Sequence, residues 1–314
     1  MQQHGIDRVA VIGTGTIGMS WAALFLARGL AVSASDPAPE AEARLRRFVE
    51  DAWPVLALLG PVAPAPPQQL LTFYPHPEAA AAGAGFVQEN APERETLKQE
   101  LLARIDAVLP PDIVIASSSS GLLISRLQSR CRHPERVVLG HPFNPPHLIP
   151  LVEVVGGART APIAIEQAMA FYAAIGKRPI HIRREIAGHV ANRLQAALWR
   201  EAVHLVAAGV ASVADVDTAI SEGPGLRWAL MGPHLTFHLA GGAGGMAHFL
   251  EQLGPPLESW WNDLGAPTLS PEVREALTAG VAAEAGGRDI ASLAAERDRF
   301  LVELLSLKAT RTKT

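Results

Sequence analysis

Val9-Ala10-Val11-Ile12-Gly13-Thr14-Gly15-Thr16-Ile17-Gly18 reads as a buried β-strand running into G-x-G-x-x-G and then into a helix. The next apolar run, Leu30-Ala31-Val32-Ser33-Ala34, ends at Asp36, at about the 20-residue separation from the first glycine that a ribose-binding acid shows. Strand, glycine turn, helix, second strand and acid in this order form the fingerprint of a dinucleotide-binding βαβ unit. The first glycine permits the tight turn, the second lets the backbone approach a pyrophosphate, and the third lets the helix pack close on the strand. The helix opens near Thr16 and Ile17, where free N–H groups and a partial positive charge suit phosphates. Asp36 would accept bonds from both ribose hydroxyls and repel a 2′-phosphate. Pro37, Ala38 and Pro39 follow with no arginine beside it. The expected cofactor is therefore NAD rather than NADP, held by Gly13, Gly15, Thr16, Ile17, Gly18 and Asp36. A glycine-rich turn without a nucleotide is the plainer alternative.

The chain has 314 residues, enough for two domains, and is 48% hydrophobic with a net charge of −4. That balance fits a globular protein and gives no polyanion-binding character, so nucleic acid is not expected as a partner. Charges interrupt every apolar run, so no membrane span is expected. The opening residues lack a basic and then apolar leader, and a cytoplasmic enzyme is the expectation. Cys131 is the single cysteine, which excludes an internal disulfide and a cysteine-based zinc site. The eleven histidines show no metal-ligand spacing, so no metal is expected.

Strands and helices alternate through the first part, which argues for a parallel sheet. A helix over 40–59 and a proline-rich loop over 61–67 follow the first βαβ unit. Strands are expected at 71–74, 85–89, 113–116, 137–140, 151–155 and 178–182, and helices from Pro92–Glu93 to about Val108 and over 162–174. The strand from Val137 is expected to end at His141. From Ala187 onward only helical periodicity is visible: 191–208 with Gly209 as stop signal, 213–222, a glycine-rich turn at 241–245, and 289–308 before a basic tail. The fold class expected is α/β, with a largely parallel, doubly wound Rossmann-type sheet over 1–186 and an all-α domain over 187–314 for substrate binding and dimerisation.

Ligands of open parallel sheets bind beyond the carboxyl ends of the strands. Three polar features fall at such ends: Ser117–Ser120, His141 and Glu89–Glu93. Glu153 lies inside an apolar strand, where an unpaired carboxylate is expensive to bury. It needs a partner, and His141 is the natural one. A carboxylate on one imidazole nitrogen fixes the tautomer and leaves the other nitrogen free as a general base.

Ser120-Gly121-Leu122, His141-Pro142-Phe143-Asn144-Pro145, Pro150-Leu151-Val152-Glu153-Val154 and Asn192-Arg193-Leu194 together resemble the 3-hydroxyacyl-CoA dehydrogenase family, from the fingerprint into the helical domain. Within it, 221–229 and Asn144-Pro145-Pro146-His147 look most like the L-gulonate 3-dehydrogenase and lambda-crystallin branch, and Leu198–Ala202 and Ala240–Met246 like the L-carnitine dehydrogenase branch. The resemblance implies NAD, a homodimer through the helical domain, and a Ser–His–Glu–Asn site. His141 takes the hydroxyl proton as the substrate carbon loses its hydride. Glu153 orients His141, and Ser120 and Asn192 bond the substrate oxygen. Glu93 and Lys98 match positions near the nicotinamide ribose and substrate, although Lys98 also reads as a helix-surface charge. Taken singly, Ser120 reads as a turn serine, His141 as a loop histidine, Glu153 as solvent-facing on an edge strand and Asn192 as a helix cap. Their joint order favours the site. The sequence departs from the family at Gly85, often acidic, and at Ser118 and Ser119, which leaves the nicotinamide contacts open.

Arg227 bears on the substrate. A guanidinium forks onto a carboxylate, which a small free 3-hydroxy acid offers and a thioester lacks; an interdomain or surface arginine is the alternative. Trp199, Trp228 and Phe237 read either as a surface for a quaternary ammonium or as helix core. The expected reaction is oxidation of a small L-3-hydroxy carboxylate, with L-gulonate first and L-carnitine second. A short-chain 3-hydroxyacyl-CoA substrate or a non-catalytic, crystallin-like role stands behind these. If Arg227 anchors the carboxylate, Arg227→Ala raises KM for the free acid and leaves NAD affinity unchanged in steady-state and binding titrations. A variant with wild-type KM places the anchor elsewhere.

Overall fold

The computed structural model describes residues 5–311. The chain divides into two compact units. One holds the residues up to Asn192 together with Asp298–Ser306, and the other holds Arg193–Arg297 with the residues from Leu307 on.

The first unit is an α/β sandwich about one eight-stranded sheet. Along the chain run β1 (Arg8–Ile12), α1 (Thr16–Ala27), β2 (Ala31–Ser35), α2 (Ala41–Leu59), β3 (Leu71–Tyr74), α3 (Pro77–Ala81) and β4 (Phe86–Glu89). They are followed by α4 (Glu95–Asp106), β5 (Ile115–Ser117), α5 (Ile124–Leu127), β6 (Val137–Pro142), β7 (Leu151–Gly156), α6 (Pro162–Ala174) and β8 (Arg178–His181). The strand order is β3-β2-β1-β4-β5-β6-β7-β8. The inner strands are buried on both faces and read largely as apolar runs, whereas edge strand β8 is mostly exposed. One core gathers Trp21, Phe25, Leu45, Val49, Phe171 and Tyr172 from α1, α2 and α6. Trp21 stacks on Phe25 at 5.3 Å and Phe86 on Phe171 at 4.0 Å. The other core gathers Leu102, Ile105, Ile124 and Leu127 from α4 and α5.

The sheet departs from the expected parallel order at one place. β6 and β7 are antiparallel, because residues 143–150 are too few for the dozen or more that a parallel crossover needs. β6 does not end before His141 but carries it, with Pro142, as its last pair of residues. β5 starts two residues later than expected and runs into Ser117. α4 opens at Glu95, not at Pro92–Glu93, since Arg94 is its extended N-cap and the Glu93 side chain is bonded elsewhere.

The loop after β6 is fastened from below. Lys177 Nζ donates to the carbonyls of Pro146 and, at 2.7 Å, Ile149, and lies 4.9 Å from the Trp21 ring centroid. Burial, with Arg28 nearby, pushes this amine down to about 7. His147 shares the Ser20 hydroxyl of α1 through both its ring Nδ1, at 2.7 Å, and its backbone N–H, at 2.8 Å.

The second unit is helical. It contains most of α7 (Ala191–Ala207), then α8 (Val213–Ser221), α9 (Pro224–Trp228), α10 (Pro233–Ala240), α11 (Gly245–Asp263) and α12 (Pro271–Ala285). α13 (Ile290–Arg311) ends the described chain, and residues 312–314 of the basic tail lie outside it. Gly209, with φ of +68°, follows the end of α7, and Ser212 and Asp215 form a reciprocal capping box on α8. Trp199 and Trp228 are exposed, whereas half-exposed Phe237 stacks on buried Phe249 at 4.7 Å. Among the described residues no helix is long and apolar enough to cross a membrane, and no group of three or more His, Cys, Asp or Glu is placed to hold a metal ion.

Candidate active site

The glycine turn shows three different constraints. A Cβ on Gly13 would stand 2.8 Å from the Asn90 backbone, and Gly13 has φ of +89°. A Cβ on Gly18 would lie 1.9 Å from the Gly13 carbonyl oxygen, whereas one on Gly15 would meet nothing within 4 Å. Gly13 and Gly18 thus serve the turn and the helix packing, and Gly15 borders open space. Gly15 is also the N-cap of α1 and offers no side-chain cap, so the first N–H groups, around Thr16 and Ile17, remain available to an anion. Asp36 follows β2. Its Oδ2 accepts from Thr14 N at 2.7 Å and its Oδ1 from Ala38 N at 2.8 Å. Each oxygen keeps a lone pair for a ribose hydroxyl. Gly13, Ser35, Asp36, Ala38 and Leu101 border a cavity of about 660 Å³. Turn, open glycine, acid and cavity fit NAD.

His141 and Glu153 are direct partners across β6 and β7. Opposed residues of an antiparallel pair project from the same face, and here the side chains meet. His141 Nδ1 lies 2.9 Å from Glu153 Oε2, with both residues buried. Because a carboxylate only accepts, Nδ1 carries the proton and Nε2 holds the lone pair. Glu153 Oε1 accepts from Val190 N at 2.9 Å and Ala191 N at 2.8 Å, where α7 begins. Gly188 (φ +74°) and His189 (φ +52°) turn the chain so that these N–H groups converge. Burial works to raise the Glu153 carboxyl. The bonds from His141, Ala191 and Val190 outweigh it and hold the group below its ordinary value, hence ionised.

The serine turn after β5 is held by Glu93. Its Oε1 accepts from Ser119 Oγ at 2.6 Å and from Ser120 N and Gly121 N at 3.0 Å each. The Ser120 side chain is left exposed, and Asn192 Nδ2 donates to the Ser120 carbonyl at 3.2 Å. The first unit therefore joins Ser120 to Asn192 by one bond and His141 to Glu153 by another. Lys98 is no surface charge: it is buried, with Nζ 2.8 and 3.0 Å from the two oxygens of buried Glu89 and 3.8 Å from Glu93. Ser117 Oγ and Ala91 N also donate to Glu89, at 2.6 Å each. Lys98 thus lies behind the site and supports the acids. Arg227 is exposed on α9 of the second unit.

Sequence reasoning overlooked the Glu89–Lys98 pair, the Val190 and Ala191 donors, and His189. Gly188 just before a helix start was the one available signal for the last two.

Residues 8–186 match the family described as 3-hydroxyacyl-CoA dehydrogenase, NAD binding domain, and residues 188–287 match its C-terminal domain. The chain is 56% identical over 302 residues to L-carnitine dehydrogenase of Streptomyces coelicolor, covering 96% of this chain and 95% of that protein. It is 48% identical over 307 residues to L-carnitine dehydrogenase of Bacillus cereus, covering 98% and 94%. Among solved structures it resembles 5-formyl-3-hydroxy-2-methylpyridine 4-carboxylic acid 5-dehydrogenase, described as an NAD+ dependent dismutase, with a TM-score of 0.81, 34% identity and coverage of 95% and 97%.

Gly18→Ala should lower the melting temperature, whereas Gly15→Ala should melt like the parent yet bind NAD more weakly in a fluorescence titration. Glu153→Gln should reduce kcat by about 10²-fold, within the usual worth of a tuned general base. A depressed carboxyl stabilises the fold above its unfolded-state value, and that stability is lost as pH falls through the lower folded-state value. The melting temperature of Glu153→Gln should therefore fall less on acidification than that of the parent.

Proposed function

The chain belongs to the 3-hydroxyacyl-CoA dehydrogenase family, NAD-dependent oxidoreductases acting on CH–OH groups, and from there we propose that it oxidises the 3-hydroxyl of L-carnitine to the 3-oxo acid. The observation that carries the chemistry is the buried His141 Nδ1–Glu153 Oε2 contact of 2.9 Å. It leaves Nε2 of His141 free to accept the hydroxyl proton, and the ionised Glu153 stabilises the imidazolium that results. Ser120 and Asn192 hold the substrate oxygen while it changes from hydroxyl to carbonyl. Gly13, Gly15, Thr16, Ile17, Gly18 and Asp36 would hold the cofactor, while Glu93 fixes the 119–121 turn and Lys98 pairs with Glu89 behind it. Bound NAD supplies the acceptor for the hydride that leaves C3. The proton and the hydride thus go to different places, and the two electrons leave with the hydride.

The names of the near-full-length relatives favour carnitine over L-gulonate, the first expectation from Asn192 and residues 144–146. A free carboxylate suits Arg227 as its anchor, and exposed indoles such as Trp199 and Trp228 suit a quaternary ammonium. The exposed side chains of Leu235, Leu239, Leu250, Leu253, Trp260 and Trp261 favour a homodimer through the helical unit.

A panel of L-carnitine, L-gulonate, 3-hydroxybutyrate and acetoacetyl-CoA, followed at the NADH absorbance in the appropriate direction, tests the substrate. The highest kcat/KM is expected for L-carnitine, and faster turnover of another member replaces it. Size-exclusion chromatography with light scattering should give twice the chain mass, and a single chain mass removes the dimer.

A further inference from the structure

The His141–Glu153 pair and the Ser120 turn come from different strands, and one side chain touches the segments that carry both. His189 is buried, and its Nε2 lies 3.2 Å from the Ser119 carbonyl oxygen. A carbonyl only accepts, so Nε2 carries the proton. The ring centroid lies 5.2 Å from that of His141, at 50° to it. The next two residues supply the N–H groups on Glu153. His189 also holds φ of +52°, a region that costs a non-glycine residue free energy and recurs at functional sites. Burial, with His141 nearby, pulls its ring below the ordinary histidine value. The groups around it are His141, Glu153 and Glu93.

We propose that His189 is a positioning residue for the dehydrogenation: through Nε2–H on the Ser119 carbonyl it sets where Ser120 stands relative to His141, and through its left-handed backbone it aims two N–H groups at Glu153. Both ends of the proton-transfer apparatus are thereby registered by one residue. Glu93 fixes the serine turn from the α4 side, and His189 fixes it from the α7 side. A neutral ring is the form suited to the place, because His141 becomes cationic when it takes the hydroxyl proton, and a second cation 5.2 Å away would oppose that step. Nε2 donates in the neutral form already, so the brace costs the site no charge.

The inference rests on His141 as the base, and three substitutions at position 189 separate its parts. His189→Gln keeps a donor of similar reach. His189→Phe keeps a ring and loses the donor. His189→Asn tolerates the left-handed backbone best but is too short to reach Ser119. With L-carnitine and NAD, the Phe and Asn variants should lose about tenfold in kcat, what one lost hydrogen bond is worth. KM and the NAD dissociation constant should stay near those of the parent, and Gln should recover most of the rate. If Phe does not fold, as judged by circular dichroism and thermal melting, Asn against Gln decides. Phe or Asn with parental kcat overturns the proposal, as does Gln no better than Phe or Asn. His141→Gln, run alongside, keeps the two ideas apart. Retained turnover there sinks the general-base reading itself, whereas lost turnover there with parental rates in the Phe and Asn variants sinks only the role of His189.

Discussion

A carboxylate without water is the constraint on which the site depends. Glu153 is fully buried in an apolar strand, and it stays ionised because three donors converge on it: one ring nitrogen and two backbone N–H groups. The three donors come from two pieces of chain. The ring pins β6 to β7, and the backbone pair pins the start of α7 to both. Removing any one would leave part of a buried charge unsatisfied, at a cost of several kcal/mol for an uncompensated ion. The same charge that tunes the histidine therefore also fastens the end of the first unit.

Two more acids repeat the device beside β4 and β5. Glu89 at the end of β4 takes Lys98, Ser117 and Ala91, and Glu93 takes the 119–121 turn. Glu89 and Glu93 lie where β4 ends and loops must hold a shape without regular ladders. Charge-assisted bonds are the strong ones available for that task. The serine and asparagine that would meet the substrate are thus carried by segments locked from behind, while the Ser120 side chain stays open.

The nucleotide-binding half was legible because its signals are local. Gly13 and Gly18 are demanded by contacts under 3 Å, and the inner strands are buried on both faces and read largely as apolar runs. The His141–Glu153 pairing was legible for another reason: a lone acid inside a hydrophobic strand must find a partner. The largely parallel sheet was legible too; which pair reverses was not singled out, although residues 143–150 are too short for a parallel crossover. Lys98 looked like a surface charge because helix periodicity does not reveal a buried acid on a neighbouring strand. His189 itself gave little signal beyond the glycine before it, because its own left-handed backbone sits at a residue that is not glycine. For Trp199, Trp228 and Phe237 the sequence left two readings open, since helical periodicity does not tell a buried stripe from an exposed one.

The reversed strand β7 has one more consequence. A loop-borne acid would drift with every insertion at the strand ends. Glu153 instead sits mid-ladder, opposite the residue that it serves, in register with the sheet itself. Loops at those ends can therefore be recut for new ligands while the spacing of the dyad is inherited intact, which makes this corner of the sheet a durable chassis for changes of specificity.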